Sequence, residues 1–115
     1  ASAMKNIEAI LAVEGVDGVF IGPSDLSASM GHIGDAGHPE VREAIARGLA
    51  SIKRADKIAG LLCMDPALVE DYVTQGADFV GVGVDTLILG QGMVKLAQQF
   101  KTGKAPADEK PQAGY

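Results

Sequence analysis

Three short apolar runs, at residues 16–21, 58–63 and 79–84, are separated from one another by longer amphipathic stretches, and no hairpin signal joins any two of them. Runs of this length, rich in β-branched residues and flanked by glycine, read as buried strands. Parallel strands cannot be joined by tight turns and need a crossover, usually a helix. The alternation therefore predicts an α/β chain with a parallel sheet covered by helices.

The helices follow from the apolar spacing. Residues 3–12 carry Met4, Ile7, Ile10 and Leu11 on one stripe, and Glu14-Gly15 ends the pattern. His38-Pro39-Glu40 opens a second helix with Pro39 at its first position and Val41, Ile45, Leu49 and Ile52 as its apolar stripe. Asp65-Pro66 opens a third, carrying Leu68, Val69, Tyr72 and Val73 and stopping at Gly76. A last helix is expected over residues 86–100, with Leu89, Met93, Leu96, Ala97 and Phe100 on its face. Residues 101–115 lack periodicity and are expected to form a flexible tail.

The order is α-β-α-β-α-β-α, and it contains an echo. Gly15-Val16-Asp17-Gly18-Val19-Phe20-Ile21-Gly22 matches Gly76-Ala77-Asp78-Phe79-Val80-Gly81-Val82-Gly83 in Gly, Asp, Val and Gly at the same offsets. A repeated βα unit suits a (β/α) barrel, and a doubly wound sheet also tolerates it. A barrel needs eight such units. Three units cannot close one, so the residues are expected to be a fragment of something longer.

Composition excludes some functions. Fifteen acidic against ten basic residues, a formal charge of −5, argue against sequence-independent nucleic-acid binding, which needs a basic face. No apolar run reaches membrane-spanning length and no basic-then-apolar leader opens the chain, so a cytoplasmic location without membrane partners is expected. The single cysteine, Cys63, sits in an apolar run with no neighbouring base and reads as a buried, inert thiol.

The segment with chemistry is Phe20-Ile21-Gly22-Pro23-Ser24-Asp25-Leu26-Ser27. It places a turn after the C-terminal end of a strand, the edge where active sites of α/β folds gather. Ser24 can cap a short helix over residues 26–30, whose free amides attract a carboxylate or phosphate. Asp25 offers a hard oxygen ligand to Mg²⁺ or a similar ion. The spacing is equally compatible with Ser24 and Asp25 as plain helix caps. His38 reads as a cap, His32 as solvated, and Asp17 and Asp78 as turn residues. Asp85 reads as a cap of the final helix, and the methionines fall at core spacing.

The run from Glu14 to Ser27, with His38-Pro39-Glu40-Val41 and Gly81-Val82-Gly83-Val84-Asp85-Thr86, closely resembles the HpcH/HpaI aldolase family over nearly all of residues 3–100. The resemblance implies that residues 1–100 are the C-terminal part of a parallel (β/α)8 TIM barrel, about three βα units of it, and that the protein is a metal-dependent (class II) pyruvate aldolase acting on 4-hydroxy-2-oxo acids. The first substrate it suggests is 4-hydroxy-2-oxoheptanedioate, in aromatic catabolism; a 2-dehydro-3-deoxy sugar acid is the alternative. It makes Asp25 a ligand of Mg²⁺, Mn²⁺ or Co²⁺. It makes Ser24 and Asp25 main-chain donors to the pyruvate carboxylate, and Leu62 a residue of the aldehyde side of the pocket, where a plain core leucine is the competing reading. The second metal ligand, the base and the enolate-stabilising arginine match family positions upstream of Ala1, so no catalytic residue is expected here and the chain alone is expected to be inactive. A hexamer that exchanges the last helix between subunits is also implied. Two rivals are a non-catalytic anion-binding or self-associating module and the acyl-CoA lyase branch of the family.

Overall fold

The computed structural model describes residues 1–102, and the prediction for the tail falls almost wholly outside them. Among the described residues, 1–82 form one unit and 83–102 a second.

In the first unit, helices α1 (Ser2–Lys5) and α2 (Ile7–Leu11) lead into strand β1 (Gly18–Ile21). Helices α3 (Pro23–Ser29) and α4 (Pro39–Arg54), strand β2 (Ile58–Leu62), helix α5 (Pro66–Thr74) and strand β3 (Phe79–Gly81) follow. The sheet has the order β1-β2-β3 and is parallel throughout, as the absence of hairpins predicts. Three strands make an open sheet, so within the described residues the expected barrel is represented by three βα units and not by a closed ring.

The single first helix predicted over 3–12 is two short ones, because Asn6 leaves helical geometry at φ −105° and ψ 12°. Ile7 and Leu11 still reach the core, and Met4 packs against it. The strands are also shorter than the apolar runs: β3 ends at Gly81, three residues before the predicted limit.

Helix α4 forms the centre of the core. His38 accepts the Glu40 amide at its start, and Pro39 occupies the first position, where its missing N–H is no loss. Lys53 and Arg54 lie in the last turn, where the helix dipole favours cations. Between them Val41, Ala44, Ile45, Gly48, Leu49 and Ile52 recur at intervals of three and four and are buried. The ends of two side chains close over Gly48: a Cβ there would stand 2.5 Å from Met4 Cε and 2.9 Å from Ile21 Cδ1 and would push them aside.

Because side chains alternate along a strand, the helices cover one face of the sheet. Val19, Ile21, Ala59, Leu61 and Val80 belong to the core. The opposite face carries Phe20, Ile58 and Phe79, which are 52%, 56% and 62% exposed. The expectation of buried strands therefore holds for only one face of the sheet among the described residues. Register sets Gly60 opposite Phe20 and Phe79, and their rings meet across it with centroids 5.9 Å apart. A side chain at Gly60 would put its Cβ 2.7 Å from Phe20 Cδ2.

The sequence echo marks how each strand begins. Gly15 and Gly76 both adopt left-handed backbone, at φ 84° and 102°, and release the chain from the preceding helix. Asp17 accepts Ile58 N through its carbonyl at 3.1 Å. Asp78 does more than turn the chain. Its carboxylate accepts Ala59 N at 2.9 Å and pairs with Lys53 Nζ at 2.8 Å. The Ala59 amide first, and then Lys53, hold Asp78 below the usual carboxylate range.

A carboxylate whose pKa is depressed by folding contributes stability above its unfolded pKa and loses it as pH falls through the folded value. Thermal melts of the wild type and Asp78→Ala across pH are therefore expected to differ most at neutral pH and to converge in acid. A gap that stays constant with pH would mean that Asp78 acts without its charge.

The second unit contains helix α6 (Asp85–Thr102), which runs two residues beyond its predicted end. Asp85 accepts the Thr86 amide at 2.7 Å. Ile88, Leu89, Met93, Leu96 and Phe100 of α6 are exposed, so Met93 departs from the core role expected of the methionines. No helix among the described residues is long and apolar enough to cross a membrane.

Candidate functional site

The parallel sheet directs the C-terminal ends of β1 and β2 to the same edge. At the first, Gly22 is the N-cap of α3 and Pro23 its first residue. Ser24 is thus the second helical residue and not the cap, and the helix starts three residues earlier than predicted. The cause is Pro23, whose fixed φ suits the first turn and leaves Gly22 in extended geometry before it.

The first helical bond runs from Leu26 N to Gly22 O at 2.9 Å. The amides of Ser24 and Asp25 precede it and have no acceptor among the described residues. Ser27 Oγ donates to Ser24 O at 2.8 Å and, although fully buried, is satisfied.

Asp25 is exposed, and its carboxylate accepts no hydrogen bond among the described residues. It leans over Gly22, where a Cβ would stand 3.1 Å from Oδ2. The chain therefore leaves both the carboxylate and the neighbouring amides available. Asp25 is the one acidic residue lining a cleft of about 300 Å³ whose walls include Met4, Ile7, Phe20 and Leu26.

Leu62 ends β2 and is half-buried on the face away from α4, with Cδ1 3.0 Å from where a Cβ on Gly81 would lie. That position separates it from the main core, whose β2 members are Ala59 and Leu61. Cys63 follows, half-buried and not fully buried as expected. Burial pushes its thiol up, in keeping with an unreactive group.

One cluster departs from the sequence reading. His32, expected to be solvated, binds Glu40 Oε2 through Nε2 at 2.9 Å, and its ring stacks on His38 with centroids 3.6 Å apart. Glu40 is held below the usual carboxylate range, first by that hydrogen bond and then by the charge of His32. The six-residue spacing of the histidines gives no periodic signal. The loop closes because Gly31 and Gly34 take left-handed backbone, at φ 92° and 79°, and His32 N donates to Ser27 O at 2.8 Å.

A sequence model described as HpcH/HpaI aldolase/citrate lyase matches residues 1–91. The chain belongs to the HpcH/HpaI aldolase/citrate lyase family. Among similar proteins, a hydroxypyruvate/pyruvate aldolase of Cupriavidus necator is 49% identical, over 99% of this chain and 43% of the relative. A 2-keto-3-deoxy-L-rhamnonate aldolase of Klebsiella pneumoniae is 48% identical, over 95% and 41%. The crystal structure of an HpcH/HpaI aldolase from Desulfitobacterium hafniense superposes with a TM-score of 0.81 at 30% identity, covering 96% of this chain and 42% of that one. This member of the HpcH/HpaI family thus spans about two-fifths of the length of the curated relatives it matches.

Proposed function

We propose that these residues form the C-terminal portion of a metal-dependent aldolase that cleaves a 4-hydroxy-2-oxo acid to pyruvate and an aldehyde. The observation carrying this reading is Asp25. It is an exposed carboxylate without a hydrogen-bond partner among the described residues, standing beside two unpaired amides at the C-terminal edge of a parallel sheet. The family, and relatives named as aldolases, support the reaction type.

Asp25 fits one position of a divalent-cation site, since a hard, hydrogen-bond-free carboxylate suits Mg²⁺, Mn²⁺ or Co²⁺. Such an ion, when bound, stabilises the negative charge that develops on a keto oxygen as the enolate forms. The Ser24 and Asp25 amides orient the 2-oxo acid by donating to its carboxylate. Leu62 lines the aldehyde side. The remaining ligand, the base and the arginine are assigned to residues outside this chain. The uncovered sheet face bearing Phe20 and Phe79 is the face that turns inward when a full set of βα units closes a barrel. The apolar face of α6 is assigned to helix exchange in a hexamer.

The relatives' names favour the sugar-acid substrate over 4-hydroxy-2-oxoheptanedioate, because one of them acts on 2-keto-3-deoxy-L-rhamnonate. The test is pyruvate release by the full-length enzyme from both substrates, before and after chelation. Release is expected to stop with chelator and to return with Mg²⁺, Mn²⁺ or Co²⁺, while the 115-residue chain alone releases none. Undiminished turnover in chelator, or pyruvate from the chain alone, would overturn the reading.

A further inference from the structure

The histidine cluster at the start of α4 is the strongest group of ligating side chains outside the proposed aldolase site. His32, His38 and Glu40 each present one ligand atom, and these atoms all lie within 4.8 Å of one another. We propose that His32, His38 and Glu40 form a second metal site, selective for a borderline ion of the Zn²⁺ or Ni²⁺ type, that ties the loop between α3 and α4 to the start of α4.

Donor chemistry sets the selectivity. Two imidazoles and one carboxylate favour zinc, nickel or copper, whereas a site built on Asp25 favours harder ions. Zinc bonds of about 2.0–2.2 Å place tetrahedral ligands about 3.4 Å apart. The His32–Glu40 pair, at 2.9 Å, is already near that spacing. Because an ion must lie in the plane of each imidazole it binds, binding also needs the two stacked rings, now 15° from parallel, to swing until their nitrogens converge.

The backbone is held independently of the rings. His32 N donates to Ser27 O at 2.8 Å, Asp35 N to His32 O at 3.0 Å and His38 N to Asp35 O at 3.2 Å. Both rings are half-buried while Glu40 is exposed, which leaves the solvent side open for water to complete the coordination. A metal takes one nitrogen of each neutral ring, and the other nitrogen keeps its proton. At His38 the ion competes with the Glu40 amide, which donates to Nδ1 at 3.3 Å, a long bond and thus a weak competitor. The site is separate from Asp25. The Asp25 carboxylate is not among the clustered ligand atoms, which come from His32, His38 and Glu40 alone among the described residues.

The experiment is Zn²⁺ titration of the full 115-residue chain by calorimetry, with excess Mg²⁺ present, alongside thermal melts with and without Zn²⁺. Because His38 caps α4, His38→Asn is used to keep a capping acceptor while removing the imidazole. His38→Asn and His32→Ala are expected to weaken Zn²⁺ binding by at least about 100-fold and to abolish the Zn²⁺-induced rise in melting temperature. Asp25→Ala is expected to leave both unchanged. If Zn²⁺ binds the two histidine variants as it binds wild type, or if no variant and no wild type takes up the ion, the proposal is wrong.

Discussion

Replacing Asp25 by Ala in the full-length enzyme is expected to lower metal-dependent pyruvate release by about 10²–10³-fold or more, the size seen when one preorganised stabiliser of a developing oxyanion is removed. The fold should not register the change. Asp25 is exposed and its carboxylate holds no hydrogen bond among the described residues, so its loss leaves no polar group stranded. Melting temperature is expected to stay within the small range typical of surface substitutions, about 0.5 kcal/mol in stability. Activity and stability are thereby separated. Wild-type turnover in Asp25→Ala with Mg²⁺, Mn²⁺ or Co²⁺ would remove Asp25 from the metal site. A large drop in melting temperature would instead make it a structural residue.

The second large effect lies in the core. Ile45 is fully buried on α4, among Leu49, Ile52, Ala59 and Leu61 of the same apolar cluster. Ile45→Ala removes buried methyl groups and leaves a cavity that the close-packed helix and sheet cannot fill, at a cost of about 2–5 kcal/mol. Ile45→Val, which deletes a single methylene, is expected to cost about 0.5–1.5 kcal/mol. In a domain of this size each kcal/mol lowers the melting temperature by about 4–8 °C, so the alanine variant is expected to be marginal at 37 °C. Urea unfolding of both variants checks the ratio. Equal, small losses would mean that α4 is not the centre of the core.

Much of the architecture was legible because it rests on local chemistry. The stripe from Val41 to Ile52 has helical period, and every one of its apolar members is buried. Asp65 caps α5 by accepting Ala67 N at 3.0 Å, and His38 caps α4, both as their places before proline predict. Parallel order followed from the missing hairpins. The site was legible in part: Asp25 stands at the strand edge, but Ser24 is not a cap, because Pro23 takes the first helical position and moves the helix start forward.

What escaped the sequence depends on residues far apart in the chain. All three apolar runs read as buried strands, yet a strand cannot encode which element will cover each face. Phe20 and Phe79 meet across Gly60 only because the register of three strands brings them level. Asp78 reaches back to Ala59 and Lys53. His32 finds Glu40 because two glycines turn the intervening loop.

The order of residues was enough to specify which stretches are helices and strands, that the strands run parallel, and where a ligand-bearing turn follows β1. Those properties come from period, caps and chain connectivity, which act over a few residues. Only the folded chain decided which sheet face is covered, where Asp78 anchors β2, and that two histidines and a glutamate converge. These depend on distances between segments that packing sets and local sequence does not encode.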